Sequence, residues 1–132
     1  MKIVLASNSE IRRKIASTFS SDIVFISPTI NEELLKKQLC HLSPNELCYE
    51  LAKAKALSVS DYEDHIILGC DQICLLKDKI YSKPLNSEAA CNQLMELSNK
   101  THFLIGSYVF CKNNEVIYKE QVTSEMAMRS IS

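Results

Sequence analysis

The chain of 132 residues has 15 basic and 16 acidic side chains, a formal net charge of -1 and 46% hydrophobic residues. This composition is typical of a folded globular protein, and the length predicts one domain, residues 1–132. The balanced charge argues against a nucleic-acid-binding protein, and no apolar run reaches the roughly 18 residues that cross a bilayer. The short apolar start, Met1 to Ala6, favours a strand over a signal peptide, so we expect a cytoplasmic protein.

The counts of glycine and cysteine are informative. The chain has two glycines, Gly69 and Gly106, where a chain of this length would usually have about nine. Either the turns use Asn, Asp and Ser, or a glycine-bearing part of the fold is absent. No two of the six cysteines form a C-x-x-C pair, which favours reduced thiols over a disulfide or zinc framework.

Apolar runs of strand length recur along the chain. They cover residues 3–6, 23–26, 66–69, 73–76, 103–111 and 115–128. The run at 73–76 continues the one before it, and the asparagines between the last two runs predict a hairpin, because Asn tolerates positive φ.

Helices are predicted between these strands. The best-marked one begins at Ser43-Pro44-Asn45-Glu46, a capping box with proline at the first helical position. An earlier helix runs from Glu10 to Phe19 with its apolar residues on one face, and a later one begins at Ser87 with four inward residues, Ala90, Cys91, Leu94 and Leu97. This order of elements predicts an α/β protein, with a mixed sheet flanked by helices.

The segment Ser7–Arg13 is a strand-to-helix turn with two hydroxyl residues near its start and two adjacent arginines at its end. Free N–H groups at a helix N-terminus favour phosphate binding. The turn is not a glycine-rich phosphate loop. The pattern by itself therefore favours a serine-capped helix with a solvated arginine pair.

Two further clusters carry charge next to predicted strands. Asp71 lies inside an apolar stretch, where a carboxylate must be paired, hydrogen-bonded or functional. Lys83 precedes a proline that restricts its backbone, although a lone lysine is usually surface charge. The acidic pair Glu32–Glu33 is predicted to lie in a solvent-facing loop, and Lys55 on a solvated helix face. A combined site would hold a polyphosphate with the cations, while Glu32 and Asp71 hold a divalent ion or activate water.

The order of these motifs resembles the Maf family of nucleoside triphosphate pyrophosphatases, which is related in fold to inosine triphosphatase. The match runs from residue 2 to the end of the chain. Its motifs are Leu5-Ala6-Ser7-Asn8-Ser9-x-x-Arg12-Arg13, Glu32, Leu51-Ala52-x-x-Lys55-Ala56, Gly69-x-Asp71-Gln72 and Lys83-Pro84.

The resemblance implies hydrolysis of a nucleoside triphosphate between its α and β phosphates, with a divalent cation, Mg²⁺ or Mn²⁺, as cofactor. Asp71 matches the family's proton acceptor, and Glu32 matches an acidic position that organises metal or water, so these two are the expected metal ligands. The positions that match phosphate contacts are Ser7, Arg12, Arg13, Lys55 and Lys83. No nucleic acid or membrane partner is expected, and a homodimer is an open alternative.

Substrate choice is associated with two positions. Asp-Gln at Asp71-Gln72, in place of Asp-Thr, resembles the subfamily that acts on 7-methyl-GTP, whereas Asp-Thr accompanies the branch that acts on dTTP and UTP. The 7-methyl-GTP branch usually has Pro-Trp before the paired arginines, where this chain has Glu10-Ile11. An indole could stack on a cationic base, and isoleucine at position 11 cannot do so in the same way.

Family members continue beyond Ser132 with a helix and a glycine-rich segment. The sequence therefore predicts a Maf-like domain that is incomplete at its C-terminus, with impaired activity and with Met126 and Met128 exposed or buried in a dimer. The alternative function is a non-catalytic nucleotide-binding or cell-division regulatory protein on the same scaffold. A structural module without a ligand would require every motif match to be accidental.

Overall fold

The computed structural model describes residues 3–19, 22–59, 64–81, 84 and 86–130. Its strands are β1 (Ile3–Ala6), β2 (Ile23–Ile26), β3 (Ile66–Leu76), β4 (Lys79–Tyr81), β5 (Thr101–Lys112) and β6 (Glu115–Ala127). Its helices are α1 (Glu10–Phe19), α2 (Glu32–Gln38), α3 (Pro44–Leu57) and α4 (Ser87–Leu97). Lys83 lies outside the described residues.

The strands of the described residues form one six-stranded sheet in the order β2-β1-β3-β5-β6, with β4 pairing on β3. β1 is parallel to β2 and β3, whereas β3–β4, β3–β5 and β5–β6 are antiparallel. The predicted mixed sheet is confirmed. The two apolar runs at 66–69 and 73–76 form one continuous strand, β3.

β3 extends past the end of β1. Ala6, the last residue of β1, pairs with Gly69, and Asp71 lies two residues farther along β3, opposite Ser107 of β5. Because β1 stops there, the chain that leaves it turns away and opens a gap beside β3. Polar groups at such strand ends commonly form ligand sites in α/β proteins.

α3 lies against the centre of the sheet and supplies much of the core. Its buried residues are Leu47, Cys48, Leu51, Ala52 and Ala56. The predicted start of α3 is confirmed, since Ser43 caps this helix by accepting the N–H of Glu46 at 3.2 Å.

Gly69 allows α3 to approach β3 closely. A Cβ at this position would overlap the carbonyl oxygen of Ala52 and lie 2.7 Å from the nitrogen of Ala56. The absence of a side chain here therefore sets the distance between helix and strand two residues before Asp71.

The prediction of a loop at Asn31–Glu33 is wrong. Glu32 begins α2, and the Asn31 side chain caps that helix by accepting the N–H of Leu34 at 3.1 Å. The acidic first turn and the two lysines of the last turn complement the helix dipole. The Asn31 cap and these charges at both ends stabilise a helix of seven residues, none of which is fully buried.

Two predicted apolar helix faces are more exposed than their periodicity suggests. Ile11 and Ile15 of α1 are exposed, as are Cys91 and Leu94 of α4, whereas Leu97 is buried as predicted. Periodicity identifies the apolar face of a helix, but it cannot say whether another element covers that face.

The six cysteines are free thiols, as predicted. Cys48, Cys70 and Cys111 are buried, whereas Cys40 and Cys91 are exposed. Within the described ranges, the helices are too short or too polar to pass through a bilayer.

Candidate active site

A cleft of about 640 Å³ opens where β1 ends beside β3. Polar and charged side chains line one part of it, and apolar side chains line another. The polar part contains Ser7, Asn8, Ser9, Arg12, Glu32, Lys36, Lys55, Asp71 and Gln72. The apolar and aromatic part includes Ile30, Leu42, Leu47, Ile73, Ile80 and Tyr81.

An ion cluster lies at the centre of this cleft. Lys55 Nζ donates a hydrogen bond to Asp71 Oδ1 at 2.9 Å and lies 3.4 Å from Glu32 Oε1. The Asp71 side chain is 8% exposed and that of Lys55 is 12% exposed, whereas that of Glu32 is 40% exposed. One buried ammonium group therefore joins a buried carboxylate on β3 to a more accessible one at the start of α2.

Burial raises the pKa of Asp71 above its ordinary value, although Lys55 opposes this effect and Glu32 adds to it. A carboxylate with a raised pKa is a stronger base than an exposed one, and such shifts are typical of catalytic groups. The paired ammonium keeps the charged form accessible, so Asp71 has the environment of a general base.

The neighbouring cysteines do not have the environment of reactive thiols. The Cys48 thiol donates to the backbone oxygens of Asp71, at 3.5 Å, and Ile105, at 3.3 Å. Burial raises the pKa of the Cys48 and Cys70 thiols. Since the thiolate is the nucleophilic form, these two cysteines act as packing residues around Asp71.

The turn after β1 is organised by its own hydroxyl groups. Ser7 Oγ accepts the N–H of Ser9 at 3.1 Å, and Ser9 Oγ accepts the N–H of Arg12 at 3.3 Å. The Ser7 backbone N–H also donates to the Ile26 oxygen of β2. These bonds place Ser7 and Ser9 on the cleft wall next to the N-terminus of α1.

The two adjacent arginines have different contacts. Arg12 lines the cleft, and its Nη1 donates to the backbone oxygen of Cys70 at 3.3 Å. Arg13 instead donates from Nε and Nη2 to the backbone oxygen of Ser7, at 3.0 and 2.8 Å, and its guanidinium lies over the Phe25 ring. Arg13 is not among the residues that line the cleft, so its position is that of a support for the turn.

The two positions that the family resemblance links to substrate choice also differ in their surroundings. Gln72 is exposed and lines the cleft next to Asp71. Ile11 is 71% exposed on α1 and is absent from the cleft wall. The described residues therefore unite Ser7, Arg12 and Gln72 with the ion cluster, and leave Ile11 and Arg13 outside it.

Lys36 is a cleft residue that the sequence analysis missed. It lies one helical turn after Glu32, with Nζ 3.9 Å from Glu32 Oε1. Its charge lowers the pKa of Asp71. Had Asn31 been recognised as a helix cap, the spacing of four residues between Glu32 and Lys36 would have placed both on one helix face.

The aromatic part of the cleft was also missed. Tyr81 and Ile80 come from β4, a three-residue strand that continues the β3 chain through a turn. Nothing in their local sequence indicates a cleft, because their position depends on the pairing of β4 with β3.

Chemically, the cleft combines a buried carboxylate with a raised pKa, fixed cations and an apolar surface. Cations and helix N–H groups can bind phosphate, and aromatic and aliphatic side chains can contact a planar ring. Within the residues that the structure describes, no group of three or more His, Cys, Asp or Glu side chains forms a preformed metal site.

The same fold occurs in two solved structures. The HAM1 protein from Coxiella burnetii superposes with a TM-score of 0.58 at 14% sequence identity, covering 95% of this chain and 70% of that one. The Ham1 protein of Staphylococcus aureus superposes with a TM-score of 0.51 at 17% identity, covering 96% and 72%. At these identities the similarity establishes the fold.

The family model for Maf-like proteins matches residues 2–132. The chain belongs to the Maf-like protein family. The family resemblance and the related fold that the sequence motifs predict are therefore confirmed.

Several relatives of this Maf-like chain are named as nucleotide pyrophosphatases. A nucleoside triphosphate pyrophosphatase of Legionella pneumophila is 34% identical over 131 residues, which are 98% of this chain and 66% of that protein. A 7-methyl-GTP pyrophosphatase of Brucella abortus is 31% identical over 134 residues, covering 99% and 67%. One from Mesorhizobium japonicum is 32% identical over 133 residues. The chain thus spans about two thirds of the length of these relatives.

Proposed function

We propose that this chain hydrolyses a nucleoside triphosphate to the monophosphate and pyrophosphate. The observation that carries the proposal is the buried Asp71 carboxylate, bonded to Lys55 in a cleft that Arg12 and Ser7 also line. The names of its Maf-like relatives, nucleoside triphosphate pyrophosphatase and 7-methyl-GTP pyrophosphatase, support this reaction class.

In the proposed reaction, a water molecule attacks the α-phosphorus of the nucleotide. A bond forms between the water oxygen and that phosphorus, and the bond from phosphorus to the α–β bridging oxygen breaks. Asp71 accepts the proton that the water loses, and pyrophosphate leaves with the bridging oxygen. Lys55 and Arg12 balance the charge that develops on the phosphate oxygens, which is the main requirement of such a transfer.

The remaining phosphate contacts are assigned from position. Ser7 lines the cleft next to the N-terminus of α1, a position that suits a phosphate oxygen. We propose that Arg13 supports this turn through its two bonds to the Ser7 oxygen. A phosphate contact from Lys83, which lies outside the described residues, remains a proposal from the family motif alone.

We propose a divalent cation, Mg²⁺ or Mn²⁺, as cofactor, held by Glu32 and Asp71. These carboxylates converge on one ammonium group, and Mg²⁺ in phosphate enzymes is commonly held by one or two carboxylates together with the substrate phosphates. The donor set therefore fits an ion that arrives with the nucleotide. Such an ion would neutralise charge on the phosphate oxygens.

We propose that Gln72 reads the edge of the base. It is the exposed polar residue next to Asp71, and its amide can donate and accept hydrogen bonds. A 7-methyl-GTP-like substrate remains a proposal that rests on the Asp-Gln motif and the names of two relatives. Ile11 is not among the residues that line the cleft. An effect of this position on substrate choice is therefore proposed from the family motif alone.

The second candidate is a nucleotide-binding protein without catalysis, such as a cell-division regulator. The exposure of Glu32 favours it, because an accessible carboxylate could bind an ion without activating water. The burial of Asp71 next to a fixed cation favours the enzyme.

We further propose that residues 1–132 act as one Maf-like unit in the cytoplasm, where the six free thiols stay reduced.

Pyrophosphate release from a panel of nucleoside triphosphates, 7-methyl-GTP included, tests the proposal with Mg²⁺ or Mn²⁺ present. Asp71→Asn should lower the rate by roughly a hundredfold or more, the usual scale for loss of a general base. The variant should keep the wild-type circular dichroism spectrum and still bind nucleotide.

Asp64→Asn is the matched control, because Asp64 is an exposed aspartate in the turn before β3. It should retain wild-type activity. Nucleotide binding by the wild-type chain without any turnover across the panel would support the regulator instead. Undiminished turnover in Asp71→Asn would remove Asp71 from the reaction.

A further inference from the structure

The cleft runs along one edge of β3. On that edge β1 pairs with β3 as far as Gly69, and β4 pairs with it from Cys74 onward, so neither strand covers residues 70–73. This stretch includes Asp71. At about 3.3 Å per residue, Gly69 and Cys74 lie roughly 16 Å apart along the strand. The site is therefore elongated, with the turn after β1 at one end and β4 at the other.

The two ends of the cleft differ in chemistry. The first end has Ser7 and Ser9 next to the N-terminus of α1, and Arg12 on the first turn of that helix also lines the cleft. The other end is lined by Ile80 and Tyr81 of β4. A polyphosphate fits the first end, and a planar apolar ring fits the second.

Tyr81 is the only aromatic side chain among the described residues that line the cleft. It is half-buried, and it also lines a neighbouring depression together with Lys79. Lys79 Nζ lies 4.6 Å from the centre of the Tyr81 ring and donates to both carboxylate oxygens of Glu96 on α4, at 3.2 and 3.3 Å. An ammonium group thus covers one face of the ring, which leaves the other face for the cleft.

We propose that Tyr81 stacks on the base of the nucleotide, so that the base lies at the β4 end of the cleft and the polyphosphate at the α1 end. This inference rests on the proposed function, because it takes Asp71 as the residue beside the α-phosphate. Cys74, the pairing partner of Tyr81, lies three residues beyond Asp71, or about 10 Å along β3. Since one ribose separates the α-phosphate from the base, the base comes within reach of Tyr81.

Gln72 supports this orientation. It follows Asp71 in the direction of β4, and its exposed side chain lines the cleft. A base that stacks on Tyr81 therefore has an amide group near its edge, whereas a base at the α1 end would lie beside the cation of Arg12. Every base has a π-face, so the stack favours nucleotides over a bare polyphosphate, while the amide can discriminate among bases.

Binding of two ligands tests the orientation. One is the α,β-methylene analogue of GTP, which cannot be cleaved between its α and β phosphates, and the other is inorganic tripolyphosphate, which has no base. Isothermal titration calorimetry with Mg²⁺ present gives both dissociation constants. Tyr81→Leu keeps an apolar side chain but removes the ring. It should raise the Kd of the GTP analogue roughly tenfold, the scale of one lost base–aromatic stack, and leave that of tripolyphosphate unchanged.

Three further variants make the result specific. Tyr81→Phe keeps the ring and should bind both ligands as the wild type does. Arg12→Met removes a cation from the phosphate end and should weaken the binding of both ligands. Tyr118→Leu is the matched control, because Tyr118 is exposed on β6 and is not among the residues that line the cleft. It should change neither constant, and circular dichroism checks that each variant is folded.

The result separates this inference from the proposed reaction. If the wild type releases no pyrophosphate but Tyr81→Leu loses affinity for the GTP analogue alone, hydrolysis is rejected and the position of the base stands. An unchanged Kd of the GTP analogue in Tyr81→Leu would overturn the inference, because the base would then lie elsewhere. An equal loss for both ligands would also overturn it, since Tyr81 would then only support the fold of the cleft.

Discussion

Asp71 is a charged residue in a place where charge is costly. The free-energy cost of burying its carboxylate is offset by the Lys55 ammonium 2.9 Å away and, at longer range, by Lys36. Glu32 opposes this effect, because a second carboxylate near the same ammonium makes ionisation of Asp71 harder. The balance leaves a carboxylate whose pKa is raised and whose position is fixed, which suits proton transfer.

The raised pKa of Asp71 has a consequence for stability. The folded chain holds the Asp71 proton more tightly than the unfolded chain, so the contribution of this group to stability is lost as the pH rises from the ordinary aspartate pKa through the raised one. We expect the free energy of unfolding of the wild type, minus that of Asp71→Asn, to fall across that window. Urea denaturation from acidic to neutral pH measures it, and a rising difference would show that the folded-state pKa is not raised.

Lys36 provides a second prediction at this scale. Lys36→Met removes a cation from the cleft and should raise KM by roughly two- to fivefold, the effect of one solvent-screened charge. Since Lys36 lowers the pKa of Asp71, the acid limb of kcat should also move to higher pH in this variant.

The adjacent Lys37 provides the matched control. It lies on the same helix but is exposed and does not line the cleft. Lys37→Met should leave KM and the pH profile unchanged. Equal effects of the two substitutions would mean that only the net charge of the helix matters.

At the scale of elements, the contact between α3 and β3 connects the fold to the site. Both Lys55 and Asp71 are placed by this contact, since one lies on the helix and the other on the strand. The approach depends on Gly69, where any side chain would meet the α3 backbone. Separation of α3 from β3 would stretch the Lys55–Asp71 bond.

Gly69→Ala should therefore destabilise the protein by about 1–3 kcal/mol, the usual cost of overpacking a core, and should reduce pyrophosphate release in the folded fraction. Gly106→Ala is the control on β5, because the nearest atom to a Cβ there is the Tyr108 hydroxyl at 3.5 Å. Thermal unfolding of the two variants compares them directly. Equal stability of both alanine variants would contradict close packing at Gly69.

At the scale of the whole molecule, burial is distributed unevenly. α3, β3 and β5 contain most of the buried residues, whereas none of residues 10–18 of α1 is buried. Arg12 and Arg13 of α1 bond to the backbone oxygens of Cys70 and Ser7, and α1 also contacts β2. Elements with little buried surface open most easily.

Hydrogen exchange should show this distribution. Amides of α1 should exchange faster than those of α3 in the free protein, because few buried contacts restrain α1. A nucleoside triphosphate should slow exchange at the start of α1 and leave the β5–β6 turn unchanged, since only the former borders the cleft. Protection that appears equally at both places would indicate a global effect rather than phosphate binding at the α1 N-terminus.

The sequence by itself determined most of the local structure and the family. Alternating apolar runs and the capping box at Ser43 predict strands and helices correctly, because these signals depend on neighbouring residues. Of the ion cluster, the local pattern singles out Asp71 alone, as a charge within an apolar stretch. The expectation of a solvated Lys55 is wrong, since its side chain is 12% exposed, and only the family motifs brought Glu32, Lys55 and Asp71 together. The helix at Glu32 is not predicted, because a short segment without fully buried residues lacks a periodic signal, and because its stability depends on the Asn31 cap and on the packing of Leu35 against the core.

Only the tertiary structure decided which of these residues meet. Arg12 and Arg13 are adjacent in sequence, yet one lines the cleft and the other binds the Ser7 backbone, because successive helical residues point in directions about 100° apart. Lys36 and Tyr81 join the cleft through the placement of α2 and β4, which no local pattern specifies. Whether an apolar face is covered depends likewise on distant parts of the chain, so the exposure of Ile11 and of β6 became visible only in the folded protein.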